Sequence, residues 1–253
     1  MKPVVSVKDI EELLSRDGNL RSLPDNAILT PSARDRMRDI QGVTRVRSIS
    51  SGTVPEVTPS ADSPAGELER FFNSHKLEAL KKQICDVGRR LWQRAYVDGN
   101  GGNLSVRVAD DLALCTPTLV SKGFMEPEDM CLVDLEGNQK AGRKKRTSEI
   151  LMHLQIMKAQ PKAQAVCHCH PPHATGFAVA GVEPPTCMIP EIEVFIGKVP
   201  IAPYHTPGTP EMGAQVAKLV EHHNTVLMAN HGVVSWSHDI IDAYFKMEII
   251  EAY

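Results

Sequence analysis

The chain has 253 residues, 42% hydrophobic and 23% charged, with a formal net charge of -3. That length suits one large domain, or one domain with an appendage, around a sizeable core. A charge so near zero gives no basis for general attraction to nucleic acid or to an anionic membrane surface, and no segment approaches the roughly 18 to 20 apolar residues of a membrane span. Mixed charge follows Met1-Lys2-Pro3 where a leader would carry an apolar run, so a soluble, cytoplasmic protein is expected. Six scattered cysteines are expected as free thiols, which leaves histidine as the better metal ligand.

In chain order, Ser6 to Leu14 places Val7, Ile10, Leu13 and Leu14 on one helical face, with Ser6 as N-cap. LPDNAILTPSARDRMRD, Leu23 to Asp39, predicts a turn and then a helix starting near Thr30-Pro31-Ser32. Residues 1–46 are therefore expected as a helical N-terminal extension. Arg47 to Gly66 is rich in Ser, Thr, Pro and Gly and poor in large apolar side chains, the composition of a linker. From residue 67 to 253 the pattern becomes that of a compact domain. Apolar residues from Leu68 to Leu91 keep helical spacing, with Asn73-Ser74 as the expected break between two pieces.

Strands are expected at residues 103–108, 111–115, 130–134, 163–169, 199–202 and 226–229, and helices at 149–159, 175–180, 210–222 and from 240 to the end. Such a mixture predicts an α/β layered domain without internal repeats. The last helix carries no stop signal before Tyr253, so a further C-terminal segment is expected.

The densest chemistry is CHCHPPH, Cys167 to His173, at the end of a predicted strand. Side chains alternate along a strand, so His168 and His170 share one face while Cys167 and Cys169 take the other as packing groups. Two imidazoles at i and i+2 can meet one ion at a strand's exit, although two ordinary polar residues would read the same way. His231 in VLMANHGVV, at the turn after another strand, is the best third ligand, and three protein ligands leave one position open.

The acid/base candidate is Glu149, in the first turn of a helix that Thr147-Ser148 are expected to cap. The exposed N–H groups and two hydroxyls there form an anion site suited to phosphate, and the basic run Arg143 to Arg146 would raise the local phosphate concentration. His153, on the same helix face, reads as support or packing, as do His173, His205, His222 and His223. In GNGGNLSVRV, Gly99 to Val108, the glycines allow close backbone approach to a ligand, and Asn100 and Asn103 add amide donors. The spacing is not that of a dinucleotide or P-loop fingerprint, so nucleotide binding is not indicated.

GGNLSVR, CTPTLVSKG, TSE, HCH, APYHTPGT and NHG occur here in the order in which they occur in the class II sugar-phosphate aldolase family, which also contains 4-epimerases, a dehydratase and the adducin head domain. Over about Glu67 to Tyr253 the chain resembles that family. The resemblance implies a three-layer α/β/α fold with a largely antiparallel sheet, and a homotetramer with active sites at subunit interfaces. It implies zinc, with manganese, cobalt and iron as substitutes, held by His168, His170 and His231. Glu149 would ligate the resting metal and then act as acid/base.

Gly102, Asn103, Thr118, Thr147 and Ser148 would hold the substrate phosphate, with Asn100 and Lys122 as further candidates. Glutamate at 149, where the epimerases have aspartate, favours an aldolase acting on L-fuculose or L-rhamnulose 1-phosphate, with the zinc stabilising an enediolate. Three departures stand out: Asn100 in place of threonine, Leu119 in place of glycine, and no match in CMIPEIEVFIGKV for the aldolases' mobile tyrosine. The N-terminal segment is similar to the encapsulation peptides of bacterial microcompartments, which implies a shell-protein partner. A non-catalytic, adducin-like interaction module is the rival from another class.

Overall fold

The computed structural model describes residues 58–253 together with residues 4, 5, 10, 27–29, 33 and 37. They fall into two compact units, residues 1–57 and 58–253. In the first, β1 (Val4–Val5) pairs in parallel with β2 (Ile28–Leu29). Ile10 and Ala33 are helical and buried, and Met37 is helical. The rest of the two predicted N-terminal helices, the targeting segment and residues 47–57 of the predicted linker lie outside the described residues.

The second unit begins earlier than the composition suggests. Pro59 is buried, and the backbone N–H of Ala61 donates to the Asp111 carboxylate at 2.9 Å. Two helices follow, α1 (Ala65–Phe72) and α2 (His75–Gln93), separated at Asn73-Ser74 as expected. The break is chemical: the Ser74 hydroxyl accepts the Leu77 N–H and starts a new helix.

Beyond them run β3 (Asn103–Arg107), β4 (Leu112–Cys115), β5 (Cys131–Asp134) and β6 (Gln139–Ala141). Then come α3 (Ile150–Ala159), β7 (Ala165–Cys169), α4 (Pro172–Ala180), α5 (Pro190–Phe195) and β8 (Ile201–Ala202). The chain closes with α6 (Pro210–Ala217), β9 (Thr225–Met228), β10 (Gly232–Ser237) and α7 (Ile240–Ala252).

Eight strands form one sheet in the order β6-β5-β4-β3-β7-β10-β9-β8, antiparallel at every pairing except β8 with β9. Strand alternation then divides the core in two. Leu104, Val106, Leu112, Leu114, Cys167, Cys169, Leu227 and Val233 pack with the helices α1, α2, α4, α5 and α7. Ala113, Cys115, Cys131, Val133, Val166, Val226, Met228 and Val234 pack with α3 and α6. This is the expected α/β/α sandwich. Each fully buried Leu, Ile, Val or Met contributes on the order of 1.5–3 kcal/mol of transfer free energy.

The two strands β1 and β2 fall in the extension expected to be helical, and within residues 58–253 three further elements differ from expectation. β6 and α5 were not anticipated, because QKA and PEIEVF are too short to show a period. β10, GVVSWS, lies inside the sheet and is absent from the expected strands, because serine and tryptophan interrupt its alternation. It pairs with β7 from Val233–Cys169 to Ser237–Ala165 and with β9 from Gly232–Met228 to Ser235–Thr225.

Candidate active site

Four elements bring the site together. On β7, His168 faces the α3 side of the sheet directly opposite Asn103 of β3, and His170 follows just past the strand's end. His231 sits in the turn between β9 and β10, where Asn230 takes the left-handed conformation at φ 55° and the His231 N–H donates to Met228 O at 3.0 Å. The glycine that follows, Gly232, is required by close packing and not by a left-handed backbone. A Cβ there would lie 2.5 Å from His170 Cδ2 and 2.7 Å from Cys169 O, so only glycine lets the hairpin close on the two histidines.

Glu149 comes from the start of α3, and here the expected cap is corrected. The helix begins at Ile150 with Glu149 itself at the N-cap position, and the Thr147 hydroxyl accepts the Glu149 N–H at 3.3 Å. The Glu149 side chain makes no capping hydrogen bond and reaches the histidines instead. Its Oε2 lies 3.2 Å from His168 Nε2, and its Oε1 lies 3.4 Å from His231 Nε2. His168 Nε2 and His170 Nε2 are 3.2 Å apart.

These atoms fit a metal. His168 donates from Nδ1 to Val233 O at 2.8 Å, so its Nε2 carries a lone pair. That lone pair meets a carboxylate oxygen and a second imidazole with no proton of its own to place between them. The two contacts that meet at His168 Nε2, to Glu149 Oε2 and to His170 Nε2, are each 3.2 Å, close to the roughly 3.3 Å that separates ligands held about 2.0–2.1 Å from one ion. One ligand atom from each of His168, His170 and His231 lies within 4.8 Å of the others.

Burial pushes the His168 pKa well below its ordinary value, with the two neighbouring histidines adding to the effect, and burial also lowers His231 despite the opposing Glu149 charge. Both rings are thus held in the neutral form that binds metal. His231 Nδ1 is buried without a partner.

A pocket of about 200 Å³ is lined by Asn100, Gly102, Asn103, Thr118, Leu119, Lys122, Thr147, Ser148, Glu149, His168 and His170, among others. Every candidate metal ligand, acid/base group and phosphate-binding residue named from the family resemblance lines this cavity except His231, which touches Glu149. Gly102 is there because a Cβ would approach His168 O to 2.9 Å, with its φ at +69° besides. Lys122 is 1% exposed, donates to Asn100 O at 3.1 Å and to Val120 O at 2.6 Å, and is held down to about 8 by burial, with the Glu149 charge opposing.

Three residues differ in orientation from the sequence reading. The Asn103 side chain donates to Glu149 Oε2 at 2.9 Å and accepts from His153, so its amide is engaged within the protein. Arg146 donates to Gly137 O and Thr147 O and so shapes the loop, and Lys144 pairs with Asp129 at 3.1 Å. The histidines set aside from the sequence lie elsewhere: His173 pairs with Glu251, and His223 faces Lys198 O. Sequence reasoning missed the partnership of Ser105, Asn103 and His153. Its signal was the four-residue step from Glu149 to His153 on one helix face.

Residues 82–253 match the family described as Class II Aldolase and Adducin N-terminal domain. The chain belongs to the class II aldolase and adducin family. Relatives agree: an L-fuculose phosphate aldolase of Methanococcus maripaludis is 37% identical over 169 residues, covering 67% of this chain and 91% of that protein. A 3-oxo-tetronate 4-phosphate decarboxylase of Cupriavidus necator is 34% identical over 176 residues, covering 68% and 80%.

A solved L-fuculose 1-phosphate aldolase superposes with a TM-score of 0.65 at 28% identity, covering 71% of this chain and 83% of that one. The class II aldolase family thus has both aldolase and decarboxylase lyases among this chain's relatives. No helix among the described residues is long and apolar enough to cross a membrane.

Proposed function

We propose that this protein is a metal-dependent aldolase that cleaves a deoxy-ketose 1-phosphate, L-fuculose or L-rhamnulose 1-phosphate, to dihydroxyacetone phosphate and lactaldehyde. The observation that carries this reading is the convergence of Glu149 on His168, His170 and His231 beside a pocket rich in hydroxyl and amide donors. His168, His170 and His231 would hold the ion, zinc first and manganese, cobalt or iron as substitutes, with Glu149 as a further ligand in the resting state. Bound there, the ion supplies positive charge to the adjacent substrate oxygens on which negative charge develops as the bond breaks.

The remaining work falls to the chain. Thr118, Thr147 and Ser148 bind the phosphate through their hydroxyls and Gly102 through its backbone N–H, joined by the backbone of Asn103, since the Thr118 and Thr147 N–H groups donate to Lys145 O and Thr116 O. The buried Lys122 ammonium gives this pocket its fixed cation, and Asn100 lies beside it. Cleavage breaks the C3–C4 bond, releases the C4 hydroxyl proton with the aldehyde's formation and requires a proton at C3. Glu149 takes up the proton that the C4 hydroxyl gives up and delivers it to C3, which completes dihydroxyacetone phosphate with no net proton gained or lost.

A second reading is favoured by the decarboxylase relatives. In it a 3-oxo sugar-acid phosphate loses carbon dioxide, with the same oxygens taking the charge and Glu149 protonating the same kind of carbon. The homotetramer with interfacial sites expected from the resemblance belongs to the proposal and is checked by sedimentation.

The deciding experiment offers zinc-loaded protein L-fuculose 1-phosphate, L-rhamnulose 1-phosphate and 3-oxo-tetronate 4-phosphate separately, with His168→Ala as control. Metal- and His168-dependent release of dihydroxyacetone phosphate and lactaldehyde from one of the two ketose 1-phosphates is the expected result. Carbon dioxide from the third substrate alone selects the second reading, and silence from all three with zinc bound would sink both.

A further inference from the structure

Behind Glu149 a string of buried polar side chains runs into the α3 side of the sheet. Ser105 and His153 are completely buried, and Asn103 is 5% exposed. Ser105 Oγ lies 2.7 Å from His153 Nδ1, His153 Nε2 contacts Asn103 Oδ1, and Asn103 Nδ2 lies 2.9 Å from Glu149 Oε2. Buried polar groups in contact with so much apolar packing need every bond made.

Only one sense of donation satisfies this string. A carboxylate accepts, so the Asn103 amide must turn its NH₂ toward Glu149 and its oxygen toward His153. The oxygen then needs a donor, so the His153 proton resides on Nε2. Burial alone drives His153 down to about 3, so the ring is neutral, has a single N–H and accepts at Nδ1. Ser105 must therefore donate. All the N–H and O–H vectors point toward Glu149, and the polarity is set by chemistry at each link.

We propose that His153 is a positioning residue which, with Ser105 behind it and Asn103 in front, fixes the Glu149 carboxylate in the orientation that serves the reaction. The inference rests on the reading of Glu149 as the proton-transfer group. A neutral ring is suited to the task because it transmits orientation without adding a competing charge beside the histidine cluster. Glu149 consequently has one oxygen, Oε2, tied to the relay through Asn103 and set against the His168 lone pair, while Oε1 faces His231 and remains available to move a proton.

The test uses the full-length zinc-loaded protein and three variants: His153→Leu, which removes the donor; His153→Gln, which restores an N–H near the position of Nε2; and Ser105→Ala. Two activities are read, cleavage of the phosphorylated sugar and exchange of a carbon-bound proton of dihydroxyacetone phosphate with deuterated solvent. His153→Leu is expected to lower kcat and exchange on the order of 10²-fold with KM and zinc content unchanged, as a misplaced catalytic group would. His153→Gln is expected to restore most of that loss.

A folded, zinc-loaded His153→Leu protein with wild-type exchange, or a Gln variant as poor as the Leu variant, overturns the proposal. Independently of any activity, nitrogen-15 histidine spectra of the wild type are expected to show His153 as the neutral Nε2–H tautomer, shifting toward a mixture in Ser105→Ala. An Nδ1–H or doubly protonated ring overturns the proposal by itself. A wild-type protein without cleavage or exchange sinks the activity reading instead, and the spectra still decide the relay.

Discussion

The two faces of β3 and β7 do different work with the same backbone. Toward α1, α2, α4 and α7 the strands present Leu104, Val106, Cys167 and Cys169, all packed in an apolar cluster. Toward α3 they present Asn103, Ser105 and His168, each hydrogen-bonded and buried. The period of two in a strand lets stability and chemistry occupy the same five residues without sharing a side chain. A consequence is that substitutions on the two faces should separate metal binding and turnover from folding free energy.

The largest effect is expected on the polar face. His168→Ala should drop bound zinc, measured by elemental analysis, from about one per subunit to near zero, and turnover by at least about 10³-fold, since the Lewis-acid contribution is several kcal/mol. Glu149→Gln should keep the fold and lower kcat by about 10²–10⁴-fold, the range of a lost general acid/base. Steady-state kinetics showing kcat unchanged would remove Glu149 from the mechanism. On the apolar face, Leu104→Ala should cost about 2–5 kcal/mol in urea unfolding and leave zinc stoichiometry and the kcat of the folded fraction unchanged. Loss of zinc in that variant would show that the faces are not separable.

Lys122 joins the two kinds of role. Its folded-state pKa is depressed to about 8 from the ordinary 10.5 by burial. Below about pH 8 the ammonium is charged in both states and the burial penalty is present in full. Between about 8 and 10.5 the unfolded chain binds the extra proton, so stability rises with pH across that window. The full swing corresponds to about 3 kcal/mol. Unfolding of wild type and Lys122→Met at pH 7 to 10.5 checks it: wild type should gain stability relative to the variant as pH rises, and a flat difference would refute the depressed pKa.

The smallest effect is at Leu119, which stands at φ 57° on the pocket's edge with 78% of its surface exposed. Leu119→Gly should relieve a left-handed conformation worth about 1–2 kcal/mol, raising the unfolding midpoint and opening the pocket. The same φ gives the physical reason why glycine suits this position in the family pattern.

Local patterns in the sequence were enough for much of this. Alternation in CHCH put His168 and His170 on one face and the thiols on the other, Ser74 ended one helix by starting another, and the order of six short motifs pointed to the family. Those features depend on neighbours along the chain, where spacing and propensity act directly. The helix start at Ile150, the position of β10 and the duty of Gly232 were not legible, because each is decided by a contact between segments far apart in sequence.

Asn103 makes the distinction plain. From the sequence it is an amide donor in a glycine-rich loop, free to face a ligand. In the folded protein its amide is held between His153, 50 residues away, and Glu149, 46 residues away. Residue types along the chain determined which atoms could donate and accept; only tertiary packing, by excluding water from the α3 face, decided that those donors and acceptors had to satisfy one another.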